Sequence, residues 1–372
     1  MSGVRFVLVS FVATRIVLFA IAFIAVTRLP INHYEARAFH LPPQSHPVLE
    51  AWARYDGCWY VAIAQHGYRG SIGSSQDLRP GFFPLFPLAT RLVAHVVGTP
   101  LLAALIVSNA CLLGFLLVLW TLVERDWGAD AARRGVLIYL LFPSGFFLSG
   151  AYSESIVLLP TAAAVLAARQ RRWPLAAMLA GAATLARPLG LIAVVPVLAE
   201  FVQFRRPEPA PRWVLSLAAI TGPTIVAALA YLAFSTLTFG DPLAFTEEQA
   251  WMRGPLAAPW RPFVNMVVFG PRLHAYENSI VDAALALLAV ASLPAIYRRT
   301  GATFAAYASL IVLIPLCGSL ASFNRLVLPS FPHVILLATV VTSPLRFASM
   351  AGAFAGLQAA LMSAFATWNW VA

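Results

Sequence analysis

The stretch Ala51–Pro87, AWARYDGCWYVAIAQHGYRGSIGSSQDLRPGFFPLFP, is the longest polar interval near the front of a chain that is otherwise almost wholly apolar. One acid, Asp56, sits in it among Trp52, Tyr55, Trp59, Tyr60 and Tyr68, with Arg54, His66 and Arg69 close by and Asp77 further on. Whether this interval belongs to a soluble domain or to a loop outside a membrane decides the fold, and the sequence on either side answers that.

Hydrophobic residues make up 60% of the chain and charged ones 11%, and the mean hydropathy is +0.79. Soluble domains carry roughly a quarter charged residues. Apolar segments recur from Phe6 to the C-terminus with no soluble interval between them, so residues 1–372 read as one multi-pass transmembrane unit. The net charge of +10 does not point to nucleic acid, because the arginines fall largely in short loops between apolar segments, the pattern of topology signals. All 25 basic residues are arginine. Without lysine there is neither a P-loop lysine nor a Schiff-base lysine, which excludes Walker-type nucleotide hydrolysis and pyridoxal chemistry. Cys58, Cys111 and Cys317 are odd in number and two of them lie inside apolar segments, so no disulfide framework is expected. The first apolar segment is too long for a signal peptide and reads as a retained span.

That first span runs from about Phe6 to Thr27, and Arg5 before it favours a cytoplasmic N-terminus. The loop 28–99 is then outside the cytoplasm, with interfacial helical pieces at Pro47–His66 and Phe82–Val97, the second interrupted by Pro84 and Pro87. Further spans are expected at Leu101–Val123, Gly135–Gly150, Ser155–Ala168, Pro174–Ala186, Leu189–Gln203, Val214–Phe239, Ser279–Ile296, Ala302–Leu320, Leu326–Val341 and Phe347–Trp368. That makes about eleven in all. With this parity the loops carrying Arg125, Arg133 and Arg134, then Arg169, Arg171 and Arg172, then Arg205, Arg206 and Arg212, then Arg298 and Arg299, then Arg346 all fall inside. If Phe82–Val97 spanned instead, every later loop would change sides and the charge pattern would be lost. Several spans are shorter than the ~20 residues of a perpendicular helix. Those ending near 149–155 and 186–188 are expected to stop short and line a cavity. A second outer loop, 240–278, carries Asp241, Glu247, Glu248, Trp251, Arg253, Trp260 and Arg261.

Under this topology Asp56, Asp77, Glu154, Arg187, Asp241, Glu247, Glu248 and Arg325 gather on the outer side. Ionisable groups near hydrocarbon are costly unless they pair or face a wet cavity, so such a gathering is a functional-site hypothesis. Asp56 in an aromatic cage suits a general base, with ring faces able to stack on a sugar. The plainer reading is an interfacial belt of Trp and Tyr with Asp56 paired to Arg54. Arg187 in LARPLGL and Arg325 in SFNRLVLP are phosphate-binding candidates through the planar guanidinium fork, or else snorkel to headgroups. Glu154 in AYSES either caps a helix or binds a substrate hydroxyl. His66 has no second His or Cys at metal spacing, no HExxH or CxxC pattern occurs, and no metal site is expected. Arg15 lies roughly 15 Å past Arg5 along the first span, placed to pair with a carbonyl, another span or a lipid phosphate.

The blocks RYDGCWYVAIAQHGY with GFFPLFP, FPSGFFLSGAYSES, LARPLGL, FGDPLAF and SFNRLVLP follow one another in this order. Together they resemble the PIG-V type of membrane mannosyltransferase, a family that includes the enzyme adding the second mannose of the glycosylphosphatidylinositol anchor and bacterial relatives. Tyr55 stands where that pattern has Trp, and Gly81 where it has alanine. The resemblance implies an all-α GT-C-like helical bundle in the plasma membrane. It also implies an extracytoplasmic active site, a catalytic acid at Asp56 and a polyprenyl-phosphate sugar as donor. Arg54, Trp59, Tyr60, His66, Tyr68, Asp77, Glu154, Arg187 and Arg325 are the expected substrate contacts. No further cofactor is implied, and the acceptor is a lipid, a glycan or a protein. A transporter or flippase of a lipid-linked sugar would also place arginines near a lipid phosphate; transporters carry internal repeats, and none of fixed period is visible here.

Overall fold

The computed structural model describes residues 2–38, 46–68, 78–204, 210–271 and 279–371. Every regular element among them is helical. A membrane demands this of an open chain, since helices satisfy their backbone groups internally. Five helices are long and apolar enough to cross a bilayer: Gly3–Arg28, Pro100–Leu141, Arg212–Phe239, Ile280–Thr300 and Pro344–Ala366. The expected pair Leu101–Val123 and Gly135–Gly150 forms one run bent at Gly128, whose φ of 82° is a conformation glycine adopts without a Cβ penalty. The remaining apolar helices, Leu85–Val97, Trp173–Thr184, Pro188–Phe204, Ala302–Leu316 and Phe331–Val340, are shorter. Length alone therefore qualifies fewer spans than the eleven apolar segments suggest.

The chain forms two compact units. The first comprises Met1–Phe82, Phe86–Ser155 and Leu337–Ala372. In it Gly3–Arg28 packs on Pro100–Leu141 and on Pro344–Ala366. The buried residues of that first helix, Val7, Arg15, Leu18, Ala22 and Ala25, lie three, four or eight apart and so form one stripe. Its other faces leave Val9, Val12, Ile16, Val17, Phe23 and Ile24 exposed, as expected where lipid is the solvent. Arg15 is on the buried stripe, donating to the Leu140 carbonyl at 3.3 Å and to the Ser149 hydroxyl. Its partner Leu140 O is both a carbonyl and part of another apolar helix, Pro100–Leu141.

The long run ends at Leu141, and residues 142–153 contain only the short 3-10 turn Gly145–Leu148. Irregular backbone inside a membrane protein has to be satisfied by protein groups. Gln358 Nε2 donates to the Phe142 carbonyl at 2.7 Å, Asn109 Nδ2 to Ser149 O at 3.2 Å, and Ser155 Oγ to Leu148 O at 2.6 Å.

The second unit comprises Phe83–Leu85 and Ile156–Leu336. Trp173–Thr184 lies along Ala210–Phe239 through a face of Ala176, Ala177, Ala180 and Gly181. A Cβ at Gly181 would come within 2.9 Å of the Pro223 carbonyl, so small residues set this close approach. Ile280–Thr300 pairs with Ala302–Leu316, and the one-turn helix Phe323–Leu326 packs against both. Their core gathers Ala283, Ala286, Ala289, Val312, Leu316, Leu320, Phe323 and Val327. The segment expected to be the second outer loop holds two short helices, Ala244–Arg253 and Arg261–Phe269.

Several helical boundaries differ from the sequence reading: the expected Gly135–Gly150 ends at Leu141, Ala302–Leu320 at Leu316, and Leu326–Val341 is Phe331–Val340. Two more lie in the loop 28–99. The piece expected over Pro47–His66 is two helices, Pro47–Glu50 and Asp56–His66, because the chain turns sharply at Tyr55, φ 52° and ψ −119°. The piece expected from Phe82 begins at Leu85, preceded by the 3-10 turn Arg79–Gly81. Pro84 stays outside that helix, and Pro87 falls in its first turn, where no partner awaits the missing N–H.

Candidate functional site

From Ala51 to Ala64 every residue is buried except Asp56. Asp56 is the first residue of the Asp56–His66 helix, so its side chain leaves the chain where the sharp turn hands over to regular structure. The turn itself is held on several sides. Trp52 O accepts from Ala151 N at 2.8 Å, and Arg54 O accepts from the Tyr152 hydroxyl at 2.7 Å. Gly57 faces Tyr152 so closely that a Cβ there would sit 3.3 Å from the ring. The positive φ at Tyr55 is strained for a residue with a side chain and persists only where surroundings over-determine it. The Tyr55 ring supplies much of that, lying 5.9 Å from Phe365, 5.4 Å from Trp368 and 4.7 Å from Trp370 between ring centroids. Burial pushes its phenol well above the usual range.

Arg54 is buried and directed at the end of the last helix. Its guanidinium donates to Ala366 O at 3.3 and 3.4 Å and lies 4.6 Å above the Trp368 ring. Burial lowers its pKa from the ordinary guanidinium value. These contacts make Arg54 an anchor of the turn. Trp59 stacks on Phe82 at 5.9 Å, and Tyr60 meets Phe82 and Phe86 edge-on. The Tyr60 and Ser153 hydroxyls are hydrogen-bonded at 2.7 Å, which ties the Asp56 helix to the residue before Glu154. Glu154 is buried at the start of Glu154–Arg169.

Other expected contacts spread further. His66 is exposed at the far end of its helix, ten residues and so roughly 15 Å along the axis from Asp56. Tyr68 donates its hydroxyl to Phe82 O at 2.6 Å. Asp77 lies outside the described residues.

In the second unit Arg187 opens the 3-10 turn Pro188–Ala193. It lines a small pocket with Val157, Leu189, Tyr307, Ile311, Leu326 and Pro329. Leu326 and Pro329 belong to the same segment as the buried Arg325, so the unit brings Arg187 to the chain that carries the other phosphate candidate. Tyr307 donates to Pro329 O at 3.0 Å and fixes that wall. Among the described residues no group of three or more His, Cys, Asp or Glu is placed to hold a metal ion.

Sequence reasoning missed three residues that build these surroundings. Tyr152 lay inside a quoted block, FLSGAYSES, but nothing in its spacing shows that its hydroxyl reaches Arg54 O. Trp368 and Tyr307 are single aromatic residues in spans or at their ends, where a packing role is the ordinary reading. Only the long-range contacts distinguish them.

The fold and site together define a helical membrane protein that presents one carboxylate from a buried aromatic turn. No family model matches the chain, and no curated protein matches it. Among solved structures, ArnT from Cupriavidus metallidurans bound to undecaprenyl phosphate matches with a TM-score of 0.50 and 16% identity, over 91% of this chain and 61% of that one. Likeness at that identity shows the fold alone, a helical membrane architecture shared with that structure. The chain spans about 61% of the length of that structure.

Proposed function

We propose that this protein is an inverting glycosyltransferase that moves a sugar from a polyprenyl-phosphate carrier to a hydroxyl acceptor, with Asp56 as the general base. The observation that carries the reading is the isolation of Asp56 as the one residue of Ala51–Ala64 that is not buried. A base must reach a proton that arrives with substrate while its own backbone stays fixed, and the turn held by Tyr152, Arg54 and the aromatic residues meets both requirements. The match to ArnT, a protein described with undecaprenyl phosphate bound, supports a lipid-linked donor.

In this reaction the acceptor oxygen attacks C1 of the sugar, its proton passes to the Asp56 carboxylate, and the bond from C1 to the phosphate oxygen breaks with inversion. The polyprenyl phosphate leaves with one more negative charge. We assign that charge to Arg325 and Arg187, since guanidinium groups stay cationic and present paired donors. The sugar is mannose, on the strength of the ordered PIG-V-like blocks, and the acceptor is a lipid, glycan or protein hydroxyl. The arginine-rich loops support an N-terminus in the cytoplasm and Asp56 on the outer face of the plasma membrane.

Purified protein in detergent, given radiolabelled polyprenyl-phosphate mannose and a lipid extract of its host, is expected to move label into a new product. In sealed vesicles, label carried across the bilayer on intact donor, with no new product formed, would instead establish a flippase.

A further inference from the structure

Asp282 is a buried carboxylate that the proposed reaction does not use. It is the third residue of Ile280–Thr300, whose N-cap Ser279 accepts from Asp282 N at 3.2 Å. An acid at that position ordinarily serves the amides of its own first turn or the helix dipole from the surface. Here it is only 1% exposed, and its Oδ1 accepts instead from the backbone N–H of Asn324 at 2.8 Å, 42 residues along the chain. Asn324 precedes Arg325 inside Phe323–Leu326, a single turn entered through Ser322 in the left-handed region at φ 59°. One turn of helix has little stability of its own.

A second charged group holds the limb that leads into this turn. Arg253 donates to Pro315 O at 3.0 Å, Ser319 O at 2.8 Å and Ala321 O at 3.0 Å. A Cβ at Gly318 would lie 3.3 Å from that of Arg253, so the contact is close-packed as well as bonded. Charged groups inside a membrane protein are costly unless their bonding compensates. Both of these bond the backbone of one segment, from Pro315 to Asn324, which leads directly into Arg325.

We infer that Asp282 and Arg253 are positioning residues that fix the backbone carrying Arg325 and so set its guanidinium for the lipid phosphate. The inference rests on the assignment of Arg325 to that phosphate. The Asp282 carboxylate accepts from the Asn324 amide, and the Arg253 guanidinium donates to the Pro315, Ser319 and Ala321 carbonyls.

The test is equilibrium binding of radiolabelled undecaprenyl phosphate to the purified full chain and its variants. Asp282→Asn keeps an acceptor oxygen and should bind within about twofold of the native protein, whereas Asp282→Ala should bind about tenfold more weakly. On an Arg325→Ala background, itself weakened, Asp282→Ala should add nothing, the signature of two residues acting as one. If Asp282→Ala does not fold, Arg253→Gln supplies the same comparison. Native-like binding by Asp282→Ala, or losses that add in the double variant, would overturn this inference and leave the Arg325 assignment standing. Native-like binding by Arg325→Ala would overturn both.

Discussion

At the scale of single residues, the candidate site depends on a turn whose strain is held in place by neighbours remote in sequence. Tyr152→Phe keeps the ring against Gly57 and removes the hydroxyl that donates to Arg54 O. Loss of such a buried bond costs about 1 kcal/mol, so the variant should melt at lower temperature in detergent. It should also transfer sugar more slowly, because the turn presenting Asp56 is loosened. His66→Ala should leave transfer within about twofold of native, since that side chain is exposed a helix length away; a large loss of turnover would mean that substrate reaches further along the helix than the turn suggests. The sequence made Asp56 legible because an acid among aromatic residues stands out locally. It could not show that Arg54 is directed at Ala366 and Trp368, contacts made across some three hundred residues.

At the scale of elements, breaks in the helices were more legible than their lengths. The loop carrying Arg125, Arg133 and Arg134 was legible as a break, which the structure makes a bend at Gly128 within Pro100–Leu141; early stops were expected near 149–155 and 186–188, and the helices end sooner, at Leu141 and Thr184. The hidden turn at Tyr55 was not legible, because tyrosine carries no signal for positive φ. In LARPLGL the reason for the glycine appears only in three dimensions. A Cβ at Gly190 would lie 1.8 Å from the Ala183 carbonyl, so the 3-10 turn folds directly onto the end of Trp173–Thr184. Gly190→Ala must push that backbone apart, at a cost of about 1–3 kcal/mol by the usual penalty for overpacking. A clear fall in melting temperature and in yield of monodisperse protein is expected, while an unchanged melting curve would show that the turn adapts freely.

At the scale of the whole molecule, composition settled the solvent and the helical class, since a chain this apolar has few other ways to satisfy its backbone. The two compact units were not legible: apart from the short exchange at Phe83–Leu85, the divisions fall within Glu154–Arg169 and Phe331–Val340, where no loop marks them. Sidedness rests on arginine counts and is open to direct test. In a background with Cys58, Cys111 and Cys317 replaced by alanine, Trp251→Cys should react with a membrane-impermeant maleimide added to intact cells. Arg133→Cys should react only after the membrane is opened. The opposite pattern would invert the topology and with it the proposed outer active site.

The central claim is that Asp56 takes the acceptor proton. The measurement is transfer of labelled mannose from its polyprenyl-phosphate carrier by the native chain and by Asp56→Asn, with donor binding and melting temperature recorded for both. The account predicts equal folding and donor binding and a loss of turnover of about 10²–10⁴-fold, the usual contribution of a general base. A folded Asp56→Asn protein that turns over at the native rate would contradict it.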